Sequence, residues 1–374
     1  MQPTGPIPAS VAIVGEAPGA EEERLGQPFV GASGRLLTDV LHRAGLVRSS
    51  CFITNVARVR PPGNDISEWF SDNKKQPDPS WLHLRGRWVH PHIARGLVDL
   101  KRELSAARPS LILALGGTAL WALTPHTGIL KWRGSRLWSE EYSATVVPSI
   151  HPAAVLRQPE MGVPLAMDVK RARLLLEGQQ KAREYRFTLA PSFPEALSRL
   201  DWLREEADRG PLRLACDIET RLGHIACIGF AWTVEDAICI PILCASRGPF
   251  YWSIEDETVL RHRIAQLFQH PNITWVGQNF LYDCQYFARE GMGYPQRVFD
   301  TMIGHHSLFS NLRKGLDFLS SMYAHDHVYW KDESKDWDPA LGEHQLWRYN
   351  CKDACITLEC DDGIHGQLTS EARR

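Results

Sequence analysis

LRLACDIET, Leu212–Thr220, reads as an apolar strand that closes on two carboxylates, Asp217 and Glu219. Side chains two apart on a strand share a face, so the pair projects to one side. A lone acidic pair is also what a solvated strand end looks like, and only its surroundings decide between the two. Downstream, HIACIGFAW (224–232) and DAICIPIL (236–243) continue as apolar strands, expected to pair antiparallel, before helical spacing takes over. Upstream, PEALSRLDWLREEADRG (194–210) has the period of a helix. The pattern is α/β with a mixed sheet.

Three later stretches add polar groups at telling intervals. WVGQNFLYDCQYFARE (275–290) carries Asn279 and Asp283, placed one helical turn apart. FDTMIGHHSLF (299–309) puts Asp300 just after an apolar strand. WRYNCKDACITLE (347–359) puts Tyr349 and Asp353 at i and i+4, on one helix face. Phosphodiester hydrolysis with two metal ions needs several carboxylates converging from rigid elements. A tyrosine hydroxyl one turn from a carboxylate is placed to orient an attacking water.

CDIET, GQNFLYD and YNCKD, in that order, resemble the three motifs of the DEDDy 3′–5′ exonucleases, above all the proofreading domain of family A DNA polymerases. The resemblance covers about residues 195–365. It implies an RNase H-like fold, with Asp217, Glu219, Asp283 and Asp353 as ligands of two Mg²⁺ or Mn²⁺ ions and Tyr349 as the water-orienting residue. Asn279 is implied to contact substrate, and Asp300 matches an acidic position of the family in a supporting role.

The segment before a linker around residues 178–196 has its own alternation. SVAIVGEAPG (10–19), CFITNV (51–56), SLILALGG (110–117) and TVVPSIHPAAVL (145–156) read as strands. ASGRLLTDVLHRAGL and LVDLKRELSAARP read as helices, stopped at Gly45 and Pro109. These predict a three-layer α/β/α domain with a largely parallel sheet and functional loops at the strands' carboxyl ends. The two domains are expected at residues 1–180 and 181–374, the first carrying an insertion at about 63–91. That insertion mixes Lys74, Lys75, Arg85 and Arg87 with Trp69, Trp81 and Trp88. It is either a grip for single-stranded nucleic acid or, the preferred reading, a loop whose tryptophans anchor it.

GEAPG (15–19), GQPFVGASGRLL (26–37), TNVARVRPPGN (54–64), ILALG (112–116) and SIHPAAVLR (149–157) together resemble the uracil-DNA glycosylase superfamily, and its family four enzymes in particular. A glycosylase must extract a base, hold it and stabilise a leaving uracil anion. The resemblance implies Phe29 stacking on the base and Asn55 reading its edge. It implies His151 as donor to the oxygen that gains charge, and Glu16 positioning water or stabilising the sugar cation. Two departures stand out. Val59 occupies a usual cysteine position and Gly96 stands near another, so no iron–sulfur cluster is expected; the insertion after Asn64 is the second.

Composition agrees with two ordinary globular domains: 374 residues, 44% hydrophobic and 23% charged. No apolar run approaches a membrane span, and the first ten residues lack a signal-peptide pattern. Residues 1–185 carry 23 Lys and Arg against 17 Asp and Glu, and the remainder 19 against 27. A basic half suits phosphate and an acidic half suits cations. None of the nine cysteines forms a CxxC pair, which points to free thiols and a cytoplasmic protein.

The order of the two domains resembles the front of phage-type family A DNA polymerases. No palm or fingers sequence follows YNCKD, so the chain is expected to be either one piece of a split polymerase, partnered by a separate polymerase chain, or a truncated piece of a longer one. Single-stranded 3′ ends and uracil-containing DNA are the other expected partners. Three readings compete: a bifunctional nuclease and uracil glycosylase, a nuclease fused to a non-catalytic DNA-binding module, and an RNA-processing nuclease of the same fold.

Overall fold

The computed structural model describes residues 1–246, 248–334, 337–338 and 342–371. The chain forms two compact units, Met1–Lys181 with Asp326–Tyr329, and Ala182–His325 with Trp330–Arg374. The four residues Asp326–Tyr329 lie inside the expected second domain yet belong to the first unit. There Arg136 Nε donates to Asp326 Oδ1 at 2.9 Å, and the Arg136 amide donates to the His327 carbonyl at 2.9 Å.

In the first unit the principal strands are β1 (Val11–Gly15), β2 (Cys51–Asn55), β6 (Leu111–Leu115), β7 (Leu137–Ser139) and β8 (Ala144–Ser149). Between β2 and β6 come β3 (Phe70–Ser71), β4 (Leu82–Leu84) and β5 (Arg87–Val89). The main sheet runs β2-β1-β6-β8-β7, parallel except for the β7–β8 edge. Every residue of β1, β2 and β6 is buried, as expected of parallel strands covered on both faces. The covering helices are α1 (Ala20–Leu25), α2 (Ala32–Arg43), α3 (Pro91–Ala107), α4 (Gly117–Leu123), α5 (Ile129–Trp132), α6 (Pro152–Arg157) and α7 (Gly162–Leu176).

The insertion is ordered rather than loop-like, because β3, β5 and β4 form a small antiparallel sheet. Buried Trp69 and Val89 join Ile93 in the main core, which anchors it. Its arginines are already paired, Arg87 with both oxygens of Asp72 and Arg85 with Glu141. The buried Trp69 fits the anchored-loop reading of the insertion.

The second unit has β9 (Arg186–Thr188), β10 (Leu212–Arg221), β11 (His224–Ala231), β12 (Asp236–Pro241), β13 (Ile273–Gly277) and β14 (Val298–Asp300). Their order is β14-β13-β10-β11-β12-β9, antiparallel across β10-β11-β12 and parallel elsewhere. The helices are α8 (Phe193–Arg209), α9 (Ile254–Phe268), α10 (Leu281–Arg289), α11 (Thr301–Leu308), α12 (Leu316–Tyr323) and α13 (His344–Glu371). Helix α8 opens on a Ser192/Glu195 capping box. Its buried stripe of Ala196, Leu200, Leu203 and Ala207 packs with the central strands in one core. Helix α13 lies against β10, β11 and β12, which carries Tyr349 and Asp353 to the acidic end of β10. Both units are α/β, as the sequence predicts.

Candidate active sites

In the second unit, Asp217, Glu219 and Asp353 each offer a carboxylate oxygen, all within 4.8 Å of one another. The first two come from one face of β10 and the third from α13. Asp283, in the first turn of α10, stands beside them, and its Oδ1 accepts a hydrogen bond from the Ile218 amide at 3.0 Å. Asp283 thereby fixes the backbone between the two strand carboxylates.

Burial and mutual repulsion keep Asp217, Glu219 and Asp283 from ionising freely. Burial, then the charge of Asp353, pushes Glu219 up to about 8. Burial lifts Asp283 to about 7 against the pull of the Ile218 amide. Asp217 is raised well above the usual carboxylate range by burial and then by Asp353, Glu219 and Asp283. A group of oxygen donors that resists ionisation without a compensating charge is what a hard divalent cation fits. Asp217, Glu219 and Asp353 would share one ion, with Asp283 available for a second.

Both oxygens of Asp353 are engaged. Trp330 Nε1 donates to Oδ1 at 2.6 Å and the Lys331 ammonium binds Oδ2. The same ammonium lies 5.0 Å from the centroid of the Tyr349 ring. Burial and then Asp353 hold the Tyr349 hydroxyl above its ordinary value, so it is protonated and able to donate. Asn350 Nδ2 donates to Asp217 Oδ2 at 2.8 Å and to the Asp217 carbonyl at 2.9 Å. Neither Trp330 and Lys331 nor Asn350 was singled out by the sequence. The first two lie in a segment without period; Asn350 sits inside YNCKD, where an amide beside a ligand was a usable signal.

Asn279 and Asp300 differ from expectation. Asn279 precedes α10 with φ +54°, so it does not share a helical turn with Asp283. Asp300 caps α11 through the Met302 amide and also accepts from the amides of Asn279 and Phe280, at 3.0 and 2.8 Å. With its oxygens committed to backbone, Asp300 is a scaffold for the left-handed Asn279, whose exposed side-chain amide has no protein partner among the described residues.

In the first unit a cavity of about 500 Å³ is lined by Glu16, Glu22, Phe29, Asn55, His151 and Arg157, among others. It opens at the carboxyl ends of β1, β2 and β8, where a doubly wound sheet binds ligands. Phe29 and His151 face each other, ring centroids 5.5 Å apart and 26° from parallel. Phe29 has φ +53°, a strained conformation for a bulky residue. It is held there by Arg48, which donates to the Pro28 and Phe29 carbonyls at 3.1 and 2.8 Å. Glu22 Oε1 completes the clamp by accepting from the Val30 and Gly31 amides.

The Ala153 amide donates to His151 Nδ1 at 3.2 Å. His151 is therefore both a helix cap and a functional candidate, because an acceptor Nδ1 leaves Nε2 carrying the proton. Burial lowers its pKa, which favours a neutral N–H donor. Glu16 Oε1 accepts from the Thr118 amide at 2.9 Å. Asn55 is 2% exposed and its Oδ1 has no partner among the described residues. Gly15 makes the pocket possible, since a Cβ there would meet Asn55 Oδ1 at 2.3 Å and Phe29 Cζ at 2.6 Å.

Comparison with known proteins agrees with this division. A family model described as the uracil DNA glycosylase superfamily matches residues 2–176, and one described as 3′–5′ exonuclease matches residues 203–372. The type-4 uracil-DNA glycosylase of Archaeoglobus fulgidus is 34% identical over 170 residues, covering 44% of this chain and 75% of the relative. The chain belongs to the uracil-DNA glycosylase superfamily. The type-4 enzyme of Thermotoga maritima is 30% identical over 184 residues, covering 48% of this chain and 80% of its own. Among solved structures, Escherichia coli RNase D is similar at 16% identity and TM-score 0.36, covering 50% of this chain and 46% of its own. By the family models, the second unit is a 3′–5′ exonuclease domain behind a uracil-DNA glycosylase-like unit.

A four-cysteine cluster does not fit the glycosylase unit. Cys51, inside β2, is the one cysteine before residue 216. At Gly96, near an expected ligand position, a Cβ would lie 2.0 Å from the Val56 carbonyl oxygen. Helix α3 therefore packs directly on the backbone after β2, where no side chain can enter.

Proposed function

We propose that the exonuclease unit is a metal-dependent 3′–5′ exodeoxyribonuclease and that the glycosylase unit recognises uracil in DNA and excises it. The convergence of Asp217, Glu219 and Asp353 within 4.8 Å, beside Asp283, carries the first half of this reading. Two divalent ions, Mg²⁺ or Mn²⁺, would supply an activated water and positive charge opposite the leaving oxygen. The four carboxylates hold that charge, and the protonated Tyr349 hydroxyl orients the water. Asn279, exposed at the start of α10, contacts the strand end.

In the glycosylase unit, Phe29 stacks on the flipped base and Asn55 uses its unpartnered Oδ1 to accept from the pyrimidine edge. His151 donates through Nε2–H to the oxygen that becomes negative as the base leaves. Glu16, held by the α4 amide, faces the sugar side and stabilises its developing positive charge. This chemistry proceeds without a cluster. The preformed Phe29–His151 pair favours excision over simple DNA binding.

The nine thiols, free of disulfides, suit a reducing cytoplasm. Proofreading-type exonuclease and uracil chemistry in one chain suit work beside a separate, phage-type DNA polymerase. The test is a 5′-labelled strand with one internal uracil, incubated in EDTA and then treated with alkali. A break at uracil that Asn55→Ala removes supports excision; an intact strand reduces the first unit to a DNA-binding module.

A further inference from the structure

We infer that Asn350 is a positioning residue of the exonuclease site, holding Asp217 in its ligating orientation through a slot opened by Gly229. The inference rests on the exonuclease reading above and names a group that composition and motif order leave unassigned.

Asn350 is completely buried and lies on α13, one residue after Tyr349 and three before Asp353. Its Nδ2 donates to both the side-chain Oδ2 and the main-chain oxygen of Asp217, at 2.8 and 2.9 Å. One amide therefore grips the strand and its carboxylate together. A carboxylate that has one oxygen fixed by a neutral donor presents the other in a single direction. Groups of this kind beside a metal ligand are worth about 10- to 100-fold in metal affinity or activity.

The contact needs room on the far side of the amide. Gly229, on β11, is the residue paired with Asp217 across the sheet. A Cβ at Gly229 would lie 2.6 Å from Asn350 Oδ1 and 2.9 Å from its Cγ. Gly229 does not have the positive φ that calls for glycine, so space rather than backbone conformation accounts for its small size. The three heavy atoms nearest to that Cβ all belong to Asn350, which aims Gly229→Ala at the amide.

The experiment uses the full chain and Mn²⁺ binding by electron paramagnetic resonance, together with release of nucleotides from a labelled 3′ end. Wild type that neither binds Mn²⁺ nor degrades the strand overturns the exonuclease reading itself. With wild type active, Asn350→Ala and Gly229→Ala are each expected to weaken Mn²⁺ binding about tenfold or more, with the metal-free circular dichroism retained. The double variant Gly229→Ala/Asn350→Ala is expected to match Asn350→Ala, because the clash disappears with the amide. Binding within about twofold of wild type in Gly229→Ala, or strictly additive losses in the double variant, overturns the Asn350 assignment while leaving the exonuclease intact. Should Asn350→Ala not fold, Gly229→Ala still decides, since it keeps the amide and moves it.

Discussion

Trp330 Nε1 and the Lys331 ammonium hold the two oxygens of Asp353, one each. A side-chain cation thus neutralises one carboxylate of the proposed metal site. On β10, burial and then the charge of Asp353, offset only in part by the same Lys331, make Asp217 and Glu219 resist ionisation.

Lys331→Met is expected to destabilise the metal-free protein by at least about 1–3 kcal/mol, the usual cost of leaving a buried acceptor unsatisfied. It is also expected to enlarge the rise in melting temperature produced by Mn²⁺, since the ion no longer competes with an ammonium. Thermal melts with and without Mn²⁺ measure both. An unchanged metal-free melting temperature would mean that the ion pair contributes nothing.

The raised carboxylates make a pH prediction of definite sign. Glu219 moves from 4.5 to about 8 and Asp283 from 3.8 to about 7 on folding, so the native state holds more protons than the unfolded chain across that window. Their contribution is fully present below about pH 4 and is lost as pH rises towards 8. In EDTA the second unit should therefore lose stability from pH 5 to pH 8, and Mg²⁺ should restore it most at the alkaline end. Equal Mg²⁺ stabilisation at both ends would remove the cluster as the cause.

For the glycosylase pocket, Gly15→Ala should reduce uracil excision by about 10²-fold, the scale of small misplacements at a reacting centre. The added methyl meets both Asn55 and Phe29. Release of nucleotides from 3′ ends should not change. A variant that excises uracil normally would show that Phe29 and Asn55 do not hold the base.

His151→Ala should lower excision by about 10²–10³-fold, as loss of one oxyanion donor does elsewhere. Because burial lowers the His151 pKa from 6.5, the imidazole stays neutral below its ordinary titration point. Excision by wild type should hold steady as pH falls from 8 to about 6.5, with no loss at that point attributable to this residue. A decline centred at 6.5 or above would assign the group a different protonation state.

The parts of this molecule that are legible in sequence are those with a period or a fixed interval. Buried parallel strands such as VAIVG and LILAL announce themselves by unbroken apolar runs. The alternation of β10 places Asp217 and Glu219 on one face, and the i, i+4 spacing does the same for Tyr349 and Asp353. Contacts that depend on tertiary placement leave no such mark. Lys331 and Trp330 reach Asp353 from a segment without regular spacing. The Asn279–Asp283 interval looks helical, but Asp300 draws the Asn279 and Phe280 amides out of the helix. The insertion shows polar composition, whereas its small sheet is held by Trp69 and Val89 in the core. Gly96 suggests a lost ligand in sequence; in the structure it is a point of backbone contact with Val56.

A 5′-labelled single strand incubated with the full chain, in Mg²⁺ and in EDTA, with wild type and Asp217→Ala side by side, tests the nuclease site itself. Shortening from the 3′ end by wild type in Mg²⁺, absent in EDTA and absent in Asp217→Ala, is the expected result. Equal shortening in EDTA, or by Asp217→Ala in Mg²⁺, would show that these carboxylates are not the centre of the reaction.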